Sequence, residues 1–277
     1  QFLELCSKMC WDFFYYWWQN TFTSFLSKIY DFHLFYLNVR KSILNLTMCG
    51  RKTLTRDIQS IIEEMAIEEW QDQDLFSPSY NIAPTQFSPI MVDHMGRRVK
   101  PMKWGLIPNW AKDKSIGSKL INARSETLLQ KPSFQNLVSG KRCVVLTDGY
   151  YEWKRTSSKS IPYYIHHPEN KLLPLAGLWD IWKDESDKSI FSYTVITTTP
   201  AQEIEYIHHR MPVILKPENI DSWLQVHNTS IPNAMALLKP YANPLDAYPV
   251  STLVNSPQNN QKACIDHDGG APNLSLF

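Results

Sequence analysis

A 277-residue chain with 28 Lys and Arg against 27 Asp and Glu has a formal charge of +1, so any affinity for nucleic acid must rest on a local patch. That length holds one large domain or two small ones, enough to bury a sizeable core. The five cysteines, Cys6, Cys10, Cys49, Cys143 and Cys264, are odd in number, irregularly spaced and outside any C-x-x-C or Cys/His cluster. That pattern argues against a disulfide framework or a zinc site and fits a reducing intracellular compartment.

Residues 1–47 are crowded with Phe, Tyr and Trp, as in "CWDFFYYWWQNTFTSFLSKIYDFHLFYL". Asp12, Gln19, Asn20, Lys28, Asp31 and His33 interrupt the run too often for a transmembrane helix, and no basic region or small-residue cleavage site marks a signal peptide. The segment reads as an unstructured or mis-translated extension, or as a propeptide removed ahead of Cys49. From Met48 onward the pattern is that of a globular domain, expected over 48–265, with a polar, flexible tail at 266–277.

In chain order, Ile58, Ile61, Ile62 and Met65 recur at helical spacing, with Thr55 as a candidate cap. "SPSYNIAPTQFSP" carries three prolines and reads as a loop. "IMVDHM" and "RVKPMKW" predict a hairpin turned at Gly96-Arg97, and an irregular passage then leads to a helix over 125–131. "KRCVVLTDGYYEWKR" reads as strand, Asp-Gly turn, strand. Further strands fall on "IPYYIHH", "LPLAGLWDIW" and "FSYTVITTT", with short helices at "PAQEIEYI" and "PENIDSWL". Many short strands with scattered helices imply an α+β fold around a bent, barrel-like antiparallel sheet.

"MCGR" at Met48–Arg51 reads like a second beginning. Were Met48 removed, Cys49 would carry an α-amine, whose ordinary pKa is about 7.7–8.0, beside a thiol of about 8.5. The amine condenses with an aldehyde to an imine, and the thiol then closes a five-membered thiazolidine. Gly50, lacking a Cβ, would let that chain end enter a narrow site. Taken alone, so short a string reads sooner as a buried structural cysteine beside a turn glycine.

Cys49-Gly50-Arg51, "YNIAPTQ", "MKWGLIPNW", "NARSET", "RCVVLTDGYYEW", "PYYIHH", "AGLWDIW", "HHRMPVIL" and "YPVSTLVNSP" follow one another in a single order. Together they resemble the SRAP family, the abasic-site processing proteins related to the 5-hydroxymethylcytosine-binding, embryonic-stem-cell-specific protein. The resemblance runs from Met48 to about Cys264. It implies an SRAP-type fold and a protein that shields abasic sites in single-stranded DNA by linking its N-terminal cysteine to C1′ of the ring-opened sugar. It implies no metal, cofactor or membrane, and a monomer in the nucleus or a bacterial cytoplasm. The family is also associated with self-cleavage ahead of the cysteine.

By the same resemblance the nucleophile falls on Cys49, the sugar-holding asparagine on Asn122, the acid/base glutamate on Glu152 and the histidine on His208. These residue types suit the chemistry. Glu152 lies between Tyr151 and Trp153, a setting that raises a carboxyl pKa. His208 titrates in the range needed to pass a proton, with His209 as its rival, and Asn122 offers an uncharged donor and acceptor, or a helix cap. Arg51, Arg124 and Arg210 each lie two residues from one of these positions and would form the phosphate-binding patch. Trp104 would stack on a base or pack in the core, whereas Trp110, Trp153, Trp179 and Trp182 read as core. Asn81 and Pro84 would shape the cleft wall. Leu146 and Thr147 depart from the family's proline and small residue. Two other functions fit the same residues: a non-covalent module for modified DNA, and a cysteine hydrolase using Cys49, His208 and Glu152.

Overall fold

The computed structural model describes residues 50–268; residues 1–49, Cys49 among them, and the end of the tail lie outside the described residues. The fold is α+β. β1 (Arg51–Leu54) opens the chain and lies between β3 (Ser79–Ile82) and β8 (Gly149–Arg155) in a five-stranded antiparallel sheet. β9 (Ser160–His166) and β13 (Asp246–Pro249) complete that sheet beyond β8.

The second sheet is built on β4 (Phe87–Asp93), β5 (Arg97–Trp104), β7 (Arg142–Val145), β10 (Leu175–Lys183) and β11 (Ser189–Thr198). These five strands close on themselves, because β5 meets β11 in parallel at Ser192–Lys103 and Tyr193–Trp104. The barrel is therefore mixed, antiparallel around the ring and parallel at its seam. Closure removes the unpaired edges that an open sheet would present. β2 (Glu69–Trp70) extends β5, while β6 (Asn122–Arg124) and β12 (Met211–Pro212) both pair with β11.

Sheet and barrel share one apolar core. Leu54, Ile82 and Ile165 from the sheet belong to the same buried cluster as Ile90, Val144, Leu178 and Val195 from the barrel. Helix α1 (Ile58–Met65) seals its margin with Ile61 and Met65, following the period seen in the sequence. Its cap is Asp57, whose carboxylate accepts from the Ser60 amide at 2.9 Å. Thr55 instead binds the Asp148 carboxylate through both its amide and its hydroxyl.

Several local expectations are corrected by long-range pairing. "SPSYNIAPTQFSP" contains β3, because Lys52 and Leu54 of β1 pair with Ile82 and Ser79. The two strands around Asp148-Gly149 form no hairpin: β7 pairs with β4 and β10 in the barrel, and β8 with β1 and β9 in the sheet. The Asp-Gly dipeptide is thus the corner where the chain leaves the barrel for the sheet. The helix expected over 125–131 is a single 3-10 turn at Ser125–Thr127, and "PAQEIEYI" holds another at Gln202–Ile204. In the tail, residues 266–268 are engaged: His267 bridges Val250, and the Asp268 amide donates to the Pro249 carbonyl at 2.8 Å.

Candidate functional site

The site forms where the loop between β11 and β12 reaches the five-stranded sheet. Glu152 lies on β8 opposite Tyr163 of β9 and is 2% exposed. On its other side the β1–β8 ladder pairs Arg51 with Tyr151, so one further step puts Gly50 opposite Glu152. The described chain thus starts beside a buried carboxylate.

His208 approaches the same carboxylate from the barrel, with Nδ1 3.9 Å from Glu152 Oε2. That separation is too long for a hydrogen bond and makes the two side chains electrostatic neighbours. Buried Ile204 and Ile207 anchor the loop that carries His208. Nδ1 either accepts from the Arg210 amide at 3.3 Å or, when protonated, donates to the Arg210 carbonyl at 3.2 Å. Burial holds the His208 pKa below its ordinary value, and the charges of His209, Arg155 and Arg210 act in the same direction against the pull of the Arg210 carbonyl. The neutral imidazole therefore prevails near pH 7, which suits it to accepting a proton.

Arg210 holds the base of the loop. Its guanidinium grips Glu126 through both nitrogens, at 2.5 and 3.0 Å, and donates to the Thr197 carbonyl at 2.7 Å. Glu126 follows β6, which carries Asn122 alongside Val195 of β11. Asn122, half-buried, therefore shares the last turns of β11 with the loop that carries His208.

The other residues singled out by sequence divide between site and scaffold. Arg124 is exposed, and among the described residues no carboxylate pairs with it. Arg210 is only 8% exposed and committed to Glu126, which removes it from a phosphate-binding patch. Arg51 donates to Asn81 Oδ1 and to the Val254 and Asn255 carbonyls, while the Asn81 amide donates to Val254, Ser256 and Asn259. That pair ties the C-terminal segment to the sheet. Pro84 is half-buried in the turn into β4. Trp104 is fully buried, stacked on Tyr193 and donating its indole N–H to the Ile121 carbonyl, so it has no face for a base. The reverse holds for Trp110, read as core but 57% exposed. Sequence reasoning also passed over Lys154, Arg155, Tyr163 and Tyr206, which surround the Glu152–His208 pair; the strand pairing of "EWKR" with "PYY" was the available signal.

Among known families, residues 48–257 match the one described as SOS response associated peptidase (SRAP). The chain belongs to the SRAP family. Among its relatives, Abasic site processing protein YoqW of Bacillus subtilis (strain 168) is 44% identical over 222 residues, covering 79% of this chain and 99% of YoqW. Abasic site processing protein HMCES of Gallus gallus is 35% identical over 230 residues, covering 71% of this chain and 68% of that protein. A solved structure from Bacteroides thetaiotaomicron superposes with a TM-score of 0.72 at 27% identity, covering 79% of this chain and all of that one. The SRAP fold thus accounts for the barrel, the sheet and the loop between them.

Proposed function

We propose that this protein processes abasic sites in single-stranded DNA by a covalent step, with Cys49 as nucleophile. The observation that carries this reading is the register of β1, which sets Gly50 opposite the buried Glu152, 3.9 Å from His208. Cys49 is the residue bonded directly to Gly50. The names of the SRAP relatives, abasic site processing proteins, support the substrate class.

An abasic sugar is mostly a closed hemiacetal. Opening it takes a proton from the C1′ hydroxyl and delivers one to the ring oxygen. Neutral His208 accepts the first, Glu152 in its acid form supplies the second, and solvent then takes the proton from His208 and returns one to Glu152. From sequence alone His208 is expected to donate; its lowered pKa favours the accepting role. The Cys49 amine adds to the exposed aldehyde, water leaves to give an imine, and the thiol S–H adds across C=N to close the thiazolidine. Asn122 orients the sugar hydroxyls, and Arg124 meets a phosphate. The reading requires that residues 1–48 be absent from the active protein, since an amide nitrogen at Cys49 forms no imine. The protein then acts as a monomer wherever the cell keeps its DNA.

The test is one alanine placed ahead of Cys49 in a chain that otherwise begins there. Unextended protein gives an SDS-stable adduct with uracil-glycosylase-treated single strands, and the extended protein gives none. Equal adduct from both would refute the mechanism. Peptide or amide cleavage that survives the insertion would identify a hydrolase, and affinity that never becomes covalent would identify a binding module.

A further inference from the structure

We propose that Tyr206 is the platform for the nucleobase next to the baseless nucleotide, a role that rests on the abasic-DNA reading. Tyr206 lies two residues before His208 and is 51% exposed. It contributes little to holding its loop, because buried Ile204 and Ile207 on either side already anchor that segment. Yet its ring is oriented. Tyr163 meets it nearly at right angles, with centroids 5.9 Å apart, and the Lys154 ammonium lies 4.7 Å from its centroid.

Each neighbour points back to the site. Tyr163 is the ladder partner of Glu152, and Lys154 is two residues beyond Glu152 on the same strand. Arg155, next along β8, is close enough to His208 to oppose its protonation. A half-open aromatic ring with the Lys154 ammonium over one side and Arg155 next along the strand combines the two elements that bind a single strand: a stacking surface and cations for the adjoining phosphates. A baseless nucleotide has nothing of its own to stack. A platform beside it must take its neighbour's base, and that contact would bring the sugar to Glu152 and His208. The aromatic face accepts any base, so it grips the strand without selecting a sequence.

The experiment measures affinity on two single strands by fluorescence anisotropy. One carries a single tetrahydrofuran, an unreactive baseless analogue, between adenines; the other carries three consecutive tetrahydrofurans. Tyr206→Ala is expected to weaken binding of the first strand about tenfold and to leave the second within about twofold of the unaltered protein. Tyr206→Phe keeps the affinity, and Tyr206→Leu behaves like alanine because it has bulk without a π face. A loss of equal size on both strands, or no loss on the first, overturns the platform. A covalent-adduct assay on a natural abasic strand separates the two readings: if tight tetrahydrofuran binding shows the Tyr206 effect but no adduct forms, the covalent mechanism falls and the platform stands. If the unaltered protein binds neither strand, both fall.

Discussion

Asp148 is predicted to be the lock that holds the first strand in place. Its carboxylate is 5% exposed and accepts from the Thr53 hydroxyl at 2.5 Å, the Thr55 amide at 2.5 Å and the Thr55 hydroxyl at 2.7 Å. Hydrogen bonds to a charged group contribute about 1.5–3 kcal/mol each, so losing all three in Asp148→Ala is expected to cost at least about 4.5 kcal/mol. Asp148→Asn should cost much less. Its oxygen can keep both Thr55 bonds, while its NH2 donates to the Thr53 hydroxyl, whose own proton turns to the Gly149 carbonyl 3.1 Å away. What remains is the difference between charged and neutral acceptors, about 2 kcal/mol. Urea unfolding checks this through the midpoints at unchanged m-value. Equal losses for the two variants, or a loss under about 1 kcal/mol for Asp148→Ala, would refute the reasoning.

Gly149 is fully packed: a Cβ there would sit 2.3 Å from the Tyr164 hydroxyl, whereas one on Gly140 would meet nothing within 4 Å. Gly149→Ala is therefore expected to lower stability by about 1–3 kcal/mol in the same urea assay, with Gly140→Ala unchanged or slightly stabilised. His208 has its native pKa below the unfolded value, so between the two values the unfolded chain binds more protons and stability falls as pH drops below about 6.5. Urea midpoints at pH 7.5 and pH 5 are expected to draw closer together in His208→Asn than in the unaltered protein, and an NMR titration of the His208 ring should give a midpoint below 6.5 that rises in Arg155→Ala.

Periodicity made the fold's local parts legible, and pairing hid the rest. Ile58, Ile61, Ile62 and Met65 predict α1 because a helix is specified by its own residues. Its cap was misassigned because Thr55 is drawn away by Asp148, a partner 93 residues distant. The Asp148-Gly149 dipeptide resembles a hairpin turn in every local respect. What separates its flanking strands is that all four residues of β7 are buried in the barrel while β8 must receive β1. Likewise, nothing near Lys103 or Tyr193 announces that β5 and β11 run side by side in parallel and close the ring.

The site was legible in residue type and obscure in allegiance. An arginine two residues from a functional position has the same spacing whether its fork meets a phosphate or a carboxylate; Arg210 finds Glu126, Arg51 finds Asn81, and Arg124 alone of the three is left open to solvent. The tryptophans exchange roles for the same reason, since Trp104 is claimed by the Ile121 carbonyl while Trp110, six residues on, is exposed. A buried position is thus decided by a partner far along the chain, whereas an exposed one stays available to a ligand. Tyr206 and Arg155 stay exposed in this way, and both lie near the place where a strand of the sheet and a loop of the barrel bring a carboxylate and an imidazole within 3.9 Å.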